Sequence, residues 1–154
     1  MVSGARVVRD DRARLRLWLR LLRTTRAVER ALRERLAEGF DTTLPRFDVM
    51  AALDRVPGGM TMSELSRFLL VSNGNVTGIV ERLVAGGLVS RSARDGDRRT
   101  AIVRLTSAGR EAFARMATAH ACWIDELLAE ISDDQADWLA ATLAAHRSNW
   151  EKDA

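Results

Sequence analysis

Apolar residues recur at helical spacing from Asp10 to about Phe40, with Leu15, Trp18, Leu19, Leu22, Val28, Leu32 and Leu36 forming one stripe. Arg12, Arg16, Arg20, Arg23, Arg26, Arg30 and Arg33 crowd the other face. A helix this long needs a surface to cover its stripe, and in a chain of this size a second protomer is expected to supply part of it. Residues before about Arg9 carry no such pattern and are expected to fray. Asp41-Thr42-Thr43 breaks the period, and Pro45 suits the first turn of a new helix whose inner face is Phe47, Met50, Ala51 and Leu53. Pro57-Gly58-Gly59 ends it. Of its two acids, Asp54 reads as a surface residue, whereas Asp48 points toward the seam with the first helix.

The pattern then shortens. Thr61 and Glu64 form a T-x-x-E capping box, with Met60 and Leu65 placed as its hydrophobic staple. Leu65, Phe68 and Leu69 give the inner stripe of this short helix. Ser72 caps a second helix, with Val71 and Val76 as staple and Val76, Ile79, Val80, Leu83 and Val84 as its apolar set. Gly86-Gly87 supplies the stop. Two helices joined so closely cross steeply, as in a helix-turn-helix. The outward face of the second holds Ser72, Asn73, Asn75, Thr77, Gly78, Glu81 and Arg82, and its start is small and polar. Such a helix end suits a major groove, because Asn, Ser and Thr reach base edges and free N–H groups meet phosphates.

A hairpin follows. Leu88-Val89 and Ala101 to Leu105 read as short strands, and the segment between them, Arg91 to Arg99, holds a turn dipeptide, Asp95-Gly96. Arg91, Arg94, Arg98 and Arg99 around one loop repel each other, a cost that phosphate contacts would offset, and a tip arginine fits the negative potential of a minor groove. Thr106 or Ser107 then caps a helix expected to reach about Ile131, with Phe113, Met116, Ala117, His120, Trp123, Ile124, Leu127 and Leu128 inward. Ser132 to Gln135 is another capping box. The last helix carries Trp138, Leu139, Leu143, His146 and Trp150. Terminal helices this apolar read as interface material.

Composition sets the bounds. The 154 residues make one domain, with a formal net charge of +3. Lys152 is the sole lysine; arginine supplies the other cations, and arginine pairs bidentately with phosphate and guanine. The single cysteine, Cys122, excludes an intramolecular disulfide, fits a reducing compartment and reads as a small core residue. No apolar run approaches the roughly 18 residues of a membrane span, and no signal-peptide h-region precedes the first helix, so a cytoplasmic protein is expected. His120 and His146 are too isolated to form a metal site with Cys122. Gly74 and Gly78 lack the Lys-Ser/Thr of a P-loop. No enzyme, cofactor or metal is expected.

The stretch D-x-R-x-x-x-V-x-L-T-x-x-G, here Asp97, Arg99, Val103, Leu105, Thr106 and Gly109, resembles the wing signature of MarR-family transcriptional regulators. Val76, Thr77, Val80 and Leu83, then Gly87-Leu88-Val89, match that family's recognition helix and first wing strand. The resemblance covers nearly the whole chain. It implies a mainly α fold with a small β-hairpin wing, a single domain over 1–154. Residues 45–106 would form the winged helix-turn-helix lobe, and 10–40 and 107–150 the dimerisation helices. It further implies an obligate homodimer with interlaced terminal helices, Asp97 holding the wing through Arg99, and two recognition helices meeting half-sites about 10 bp apart. The residue after the recognition-helix threonine is often arginine in the family; here it is Gly78, so the contact that arginine would make is missing.

These observations lead to a dimeric, sequence-specific DNA-binding regulator, expected to be a ligand-responsive repressor of a pseudo-palindromic operator. The DNA-binding set is Ser63, Ser72, Asn73, Asn75, Thr77, Arg82, Arg91, Arg94, Asp97, Arg98 and Arg99. Family members commonly bind aromatic acids or related anions, and Trp18, Arg20, Arg23, Phe47, Asp48 and His120 would line such an effector pocket. Two rivals are an architectural binder indifferent to sequence, which would select no site from random DNA, and a winged-helix protein-interaction module, which would ignore duplexes even at low salt.

Overall fold

The computed structural model describes the backbone of residues 11–94 and 97–150 and the side chains of residues 12–93 and 100–145. The elements run α1 (Asp11–Phe40), α2 (Leu44–Asp54), β1 (Met60–Thr61), α3 (Met62–Leu69), α4 (Asn73–Ala85), β2 (Val89–Arg94), β3 (Asp97–Leu105), α5 (Ser107–Leu127) and α6 (Asp133–Trp150). By packing, the chain divides into two compact units, the first ending at Ala119 and the second beginning at His120. The expected class holds: mostly helical, with a small antiparallel sheet.

In the first unit α2 is the central helix, packed on α1, α3, α4 and β3. Thr43 caps it by accepting the Arg46 N–H at 3.4 Å, and Pro45 lies in its first turn. Being surrounded, α2 buries Leu44, Phe47, Val49, Met50, Ala52 and Leu53, more than the single expected face, and Ala51 is only half-buried. Phe47 meets Phe113 of α5 with ring centroids 5.5 Å apart. Leu32 and Leu36 close the core from α1, Val76, Val80 and Leu83 from α4, and Val89, Val103 and Leu105 from the sheet.

The capping box of α3 forms as expected: Glu64 N–H donates to Thr61 Oγ1 at 3.2 Å, and Thr61 N–H donates to Glu64 Oε2 at 2.7 Å. Its staple residues Met60 and Leu65 are both buried. The expected inner stripe of α3 is narrower than it reads, because Phe68 stays 49% exposed with the Arg55 guanidinium 5.9 Å over its ring. Leu65 is the one fully buried residue of α3, and Leu69 is half-buried. Val71 and Val84 are likewise exposed.

Met60 and Thr61 also make a two-residue strand that sequence patterning does not reveal, pairing with Val103 and Ile102 to give the sheet order β1-β3-β2. The hairpin differs more. Most of the arginine-rich segment expected as loop is strand, since β2 runs through Arg94 and β3 begins at Asp97, with a register shift after Ala93. Long paired strands satisfy backbone groups that a nine-residue loop would leave to water.

In the second unit Ser132 and Gln135 form the expected reciprocal cap of α6, with bonds of 3.1 and 3.4 Å. Helix α5 ends at Leu127, short of the expected Ile131, and a turn carries the chain to Ser132. The side chains of His146 and Trp150 lie outside the described residues, as do residues up to Asp10.

Candidate nucleic-acid interface

Helix α3 closes with two bonds, Leu70 N–H to the Arg67 carbonyl at 3.3 Å and Val71 N–H to the Ser66 carbonyl at 3.1 Å. This is a Schellman stop, and it puts Leu70 in the left-handed region at φ 54°. Glycine usually takes that position; leucine there costs about 1–2 kcal/mol. The Ser66 hydroxyl donates to the Val71 carbonyl at 2.5 Å and holds the turn. Ser72 then caps α4 by accepting the Asn75 N–H at 3.4 Å.

The first turn of α4 contains no acid. Ser72, Asn73, Gly74 and Asn75 are exposed together, so the positive end of the helix and its free N–H groups face solvent beside two amide side chains. Thr77, half-buried, spends its hydroxyl proton on the Asn73 carbonyl at 2.9 Å. Arg82 is exposed one turn from the far end, and Ser63 is exposed on the first turn of α3.

A compact clasp ties α4 to the wing. Helix α4 stops in a second Schellman motif, with Gly87 at φ +71°. Thr106 N–H donates to the Leu88 carbonyl at 3.0 Å, and the Thr106 hydroxyl donates to the Gly87 carbonyl at 2.7 Å. The same hydroxyl oxygen accepts the Gly109 N–H at 2.9 Å, which starts α5. A Cβ on Gly109 would collide with the Leu88 carbonyl. The L-T-x-x-G spacing therefore has a physical reason: one threonine joins α4, β3 and α5, and only glycine fits three residues later.

From that clasp the hairpin extends. Val89 pairs with Leu105 and Arg91 with Val103, so Arg91 continues the face that is buried at the base and is itself exposed. On the other face Arg104 donates to Ser92 Oγ at 2.9 Å, a contact not anticipated from sequence. The side chains of Arg94, Asp97, Arg98 and Arg99 lie outside the described residues, as do Asp95 and Gly96; the expected Asp97–Arg99 contact falls there.

The residues expected around an effector are placed as follows. Trp18, Arg20 and Arg23 are exposed on α1, and Phe47 is buried in the core. Asp48 is on the surface of α2 with its carboxyl pushed up to about 6, first by lost hydration, then by the Glu29 carboxylate, against a lowering by Arg33. Glu29 itself holds Arg33 at 2.8 Å, which leaves that guanidinium shared. Asp48 thus faces α1, as its position suggested. His120 is half-buried at the start of the second unit, and burial lowers its pKa. Cys122, expected in the core, is exposed because α5 turns that face outward. No described helix is long and apolar enough to cross a membrane.

A capped helix, tight turn, second capped helix and hairpin clasped together make a winged helix-turn-helix, the architecture of transcriptional regulators. The MarR family model matches residues 40–100. A MarR family transcriptional regulator from Silicibacter pomeroyi is 36% identical over 93% of this chain and 96% of its own, with a TM-score of 0.71. The chain belongs to the MarR family of transcriptional regulators. The transcriptional activatory protein BadR of Rhodopseudomonas palustris is 37% identical over 60% of this chain, but the match spans 49% of BadR. A mutant MarR from E. coli complexed with operator DNA superposes with a TM-score of 0.75 at 25% identity, covering 84% of this chain and 91% of that one.

Proposed function

We propose that this chain binds a pseudo-palindromic operator as a homodimer, sequence-specifically, and acts in the cytoplasm as a ligand-responsive repressor. The observation that carries the reading is the acid-free start of α4, exposed from its cap Ser72 through Asn75 and joined by the Thr106 clasp to an arginine-bearing hairpin. One element enters a major groove while the other reaches the adjoining minor groove, and the clasp keeps their spacing fixed. Asn75 and Asn73 read base edges; Ser63, Ser72, Thr77 and Arg82 support or contact the backbone; Arg91, Arg94, Arg98 and Arg99, with Asp97, form the wing grip.

Dimerisation is supported in each unit separately. In the first, Leu15, Trp18 and Leu19 of α1 are 41–57% exposed. In the second, Trp138 and Leu143 of α6 are exposed, and an apolar groove of about 550 Å³ runs along Ile124, Leu128, Ile131, Leu139 and Leu143. Exposed apolar surface on this scale marks an interface. For the effector, an aromatic acid or related anion is the proposed ligand of Trp18, Arg20, Arg23, Phe47 and Asp48 in the first unit, with Phe47 acting as buried support behind the contact surface. Ligand would favour dimers whose recognition helices no longer match the half-sites.

The test is fluorescence anisotropy on duplexes recovered by selection from random DNA, across a salt series. Arg99→Ala should weaken binding and reduce the salt slope by about 2 per dimer, roughly one for the phosphate that each protomer no longer neutralises. Asn75→Ala should relax sequence choice. No recovered consensus would make the protein a sequence-indifferent binder, and no binding at low salt would remove DNA from the account. A promoter reporter that rises when the protein is present would reverse the sign from repression to activation, the role named for BadR.

A further inference from the structure

Within the first unit a cleft of about 200 Å³ opens where the end of α1, the start of α2, the end of α4 and α5 meet. Arg46 of α2, Arg82 of α4 and Arg115 of α5 line it, over a floor that includes the buried Leu83 and Met116. Asp41 is the one acid on its wall. None of these four side chains makes an ion pair or a side-chain hydrogen bond with a described residue.

Three arginines on the wall of so small a space bring like charges near one another, and these repel. A plain structural role is open to them, because the ends of α1 and α4 present carbonyl groups that arginines often satisfy. They donate to none of these. One acid against three arginines leaves the lining of the cleft with an excess of two positive charges. Guanidinium groups match carboxylate and phosphate oxygens bidentately, and a cleft below the usual 300–1,000 Å³ of ligand pockets admits one compact anion with few further atoms.

We propose that this cleft binds a small dianion, a phosphate or a short dicarboxylate, between Arg46, Arg82 and Arg115. The site shares no residue with the effector set above. It stands whether or not the chain binds DNA, and because Arg82 also belongs to the proposed DNA-binding set, the test uses the other two arginines.

Isothermal titration of the full chain at fixed ionic strength, with inorganic phosphate, succinate and acetate in turn, gives the readout. Phosphate, succinate or both should bind at one per chain, and which of them binds identifies the source; acetate should bind at least tenfold more weakly. Arg46→Gln and Arg115→Gln should each weaken binding by roughly ten- to a hundredfold, the range for a charge-assisted contact. Arg26→Gln on the exposed face of α1 should leave it unchanged. The proposal is overturned if neither dianion binds, if acetate binds as well, or if the folded variants bind like the parent. It is also overturned if the variants lose DNA affinity while keeping the dianion, which would make the cluster a DNA-backbone contact. Should a variant fail to fold, amide chemical shifts of the parent protein decide: phosphate must move the Gly86 and Leu88 signals, and unmoved signals refute the site.

Discussion

Replacing Gly109 by alanine should destabilise the protein, against the ordinary effect of that change inside a helix. A Cβ at Gly109 would run into the Leu88 carbonyl oxygen, reach 2.9 Å from its carbon and lie 3.3 Å from Leu105 Cδ2. The obstacle is backbone, held by the Thr106 N–H at 3.0 Å, so it cannot swing aside like a side chain. Overpacking of this kind costs about 1–3 kcal/mol. If the corner shifts to make room, the Thr106–Leu88 and Gly109–Thr106 bonds weaken at about 1 kcal/mol each. Alanine returns up to about 1 kcal/mol of helix propensity. The net expectation is a loss of about 2–4 kcal/mol, a large part of a typical total stability of about 5–15 kcal/mol. Gly78 is the control: it too is helical, with nothing within 4 Å of an added Cβ, so alanine there should stabilise by about 0.5–1 kcal/mol. Urea unfolding at one protein concentration reads both, with m-values confirming that the transition is unchanged. A Gly109→Ala protein as stable as the parent, or two variants shifting in the same direction, would refute the clasp.

Further expectations rest on single residues. Because the Asp48 carboxyl titrates at about 6 in the fold and near 3.8 otherwise, the native state holds its proton more tightly, and the associated stability is lost as pH rises from about 4 through about 6. Asp48→Asn should therefore melt higher than the parent at pH 7.5, with the gap closing toward pH 4; a constant gap by thermal denaturation would disprove the assignment. Leu70→Gly removes a left-handed leucine at about 1–2 kcal/mol and adds glycine's chain entropy at about 0.5–1 kcal/mol, so unfolding stability should rise by about 0.5–1 kcal/mol. Lower stability would show that Leu70 contributes packing its exposure does not reveal. Gly78→Arg, placing a cation on α4 where nothing blocks it, should tighten DNA binding and steepen its salt slope by about 2 per dimer, and an unchanged slope in the anisotropy assay would place that position away from phosphate.

The caps were legible because they depend on neighbours in sequence. Thr61 with Glu64, Ser72 with Asn75 and Ser132 with Gln135 each close within three residues, so residue type and spacing decide them. The Gly86-Gly87 stop was legible for the same reason. What depends on distant chain was not. Phe68 sits at helical spacing with Leu65 yet stays half-exposed, because among the described residues only the Arg55 guanidinium lies over its ring. Strand β1 exists only because β3 passes beside Met60 and Thr61. The arginine-rich segment reads as loop from its Asp-Gly and charge, whereas cross-strand pairing extends it into strands. The left-handed Leu70 left no signal at all, since only the Schellman geometry demands it. Of the interface, the exposed start of α4 could be foreseen; Thr106 was legible as a member of a recurring spacing and, with Ser107, as a cap of α5, whereas its bonds to Gly87 and Leu88 were not. The Arg46–Arg82–Arg115 cluster, from three separate helices, could not.

The central claim is that two copies of this chain grip one duplex together. Sedimentation equilibrium of the protein alone, and with a selected duplex of about 25 bp, tests it most directly. The account predicts a stable dimer in the absence of DNA and two chains per duplex in the complex. A monomer that binds one to one at the same site would contradict it.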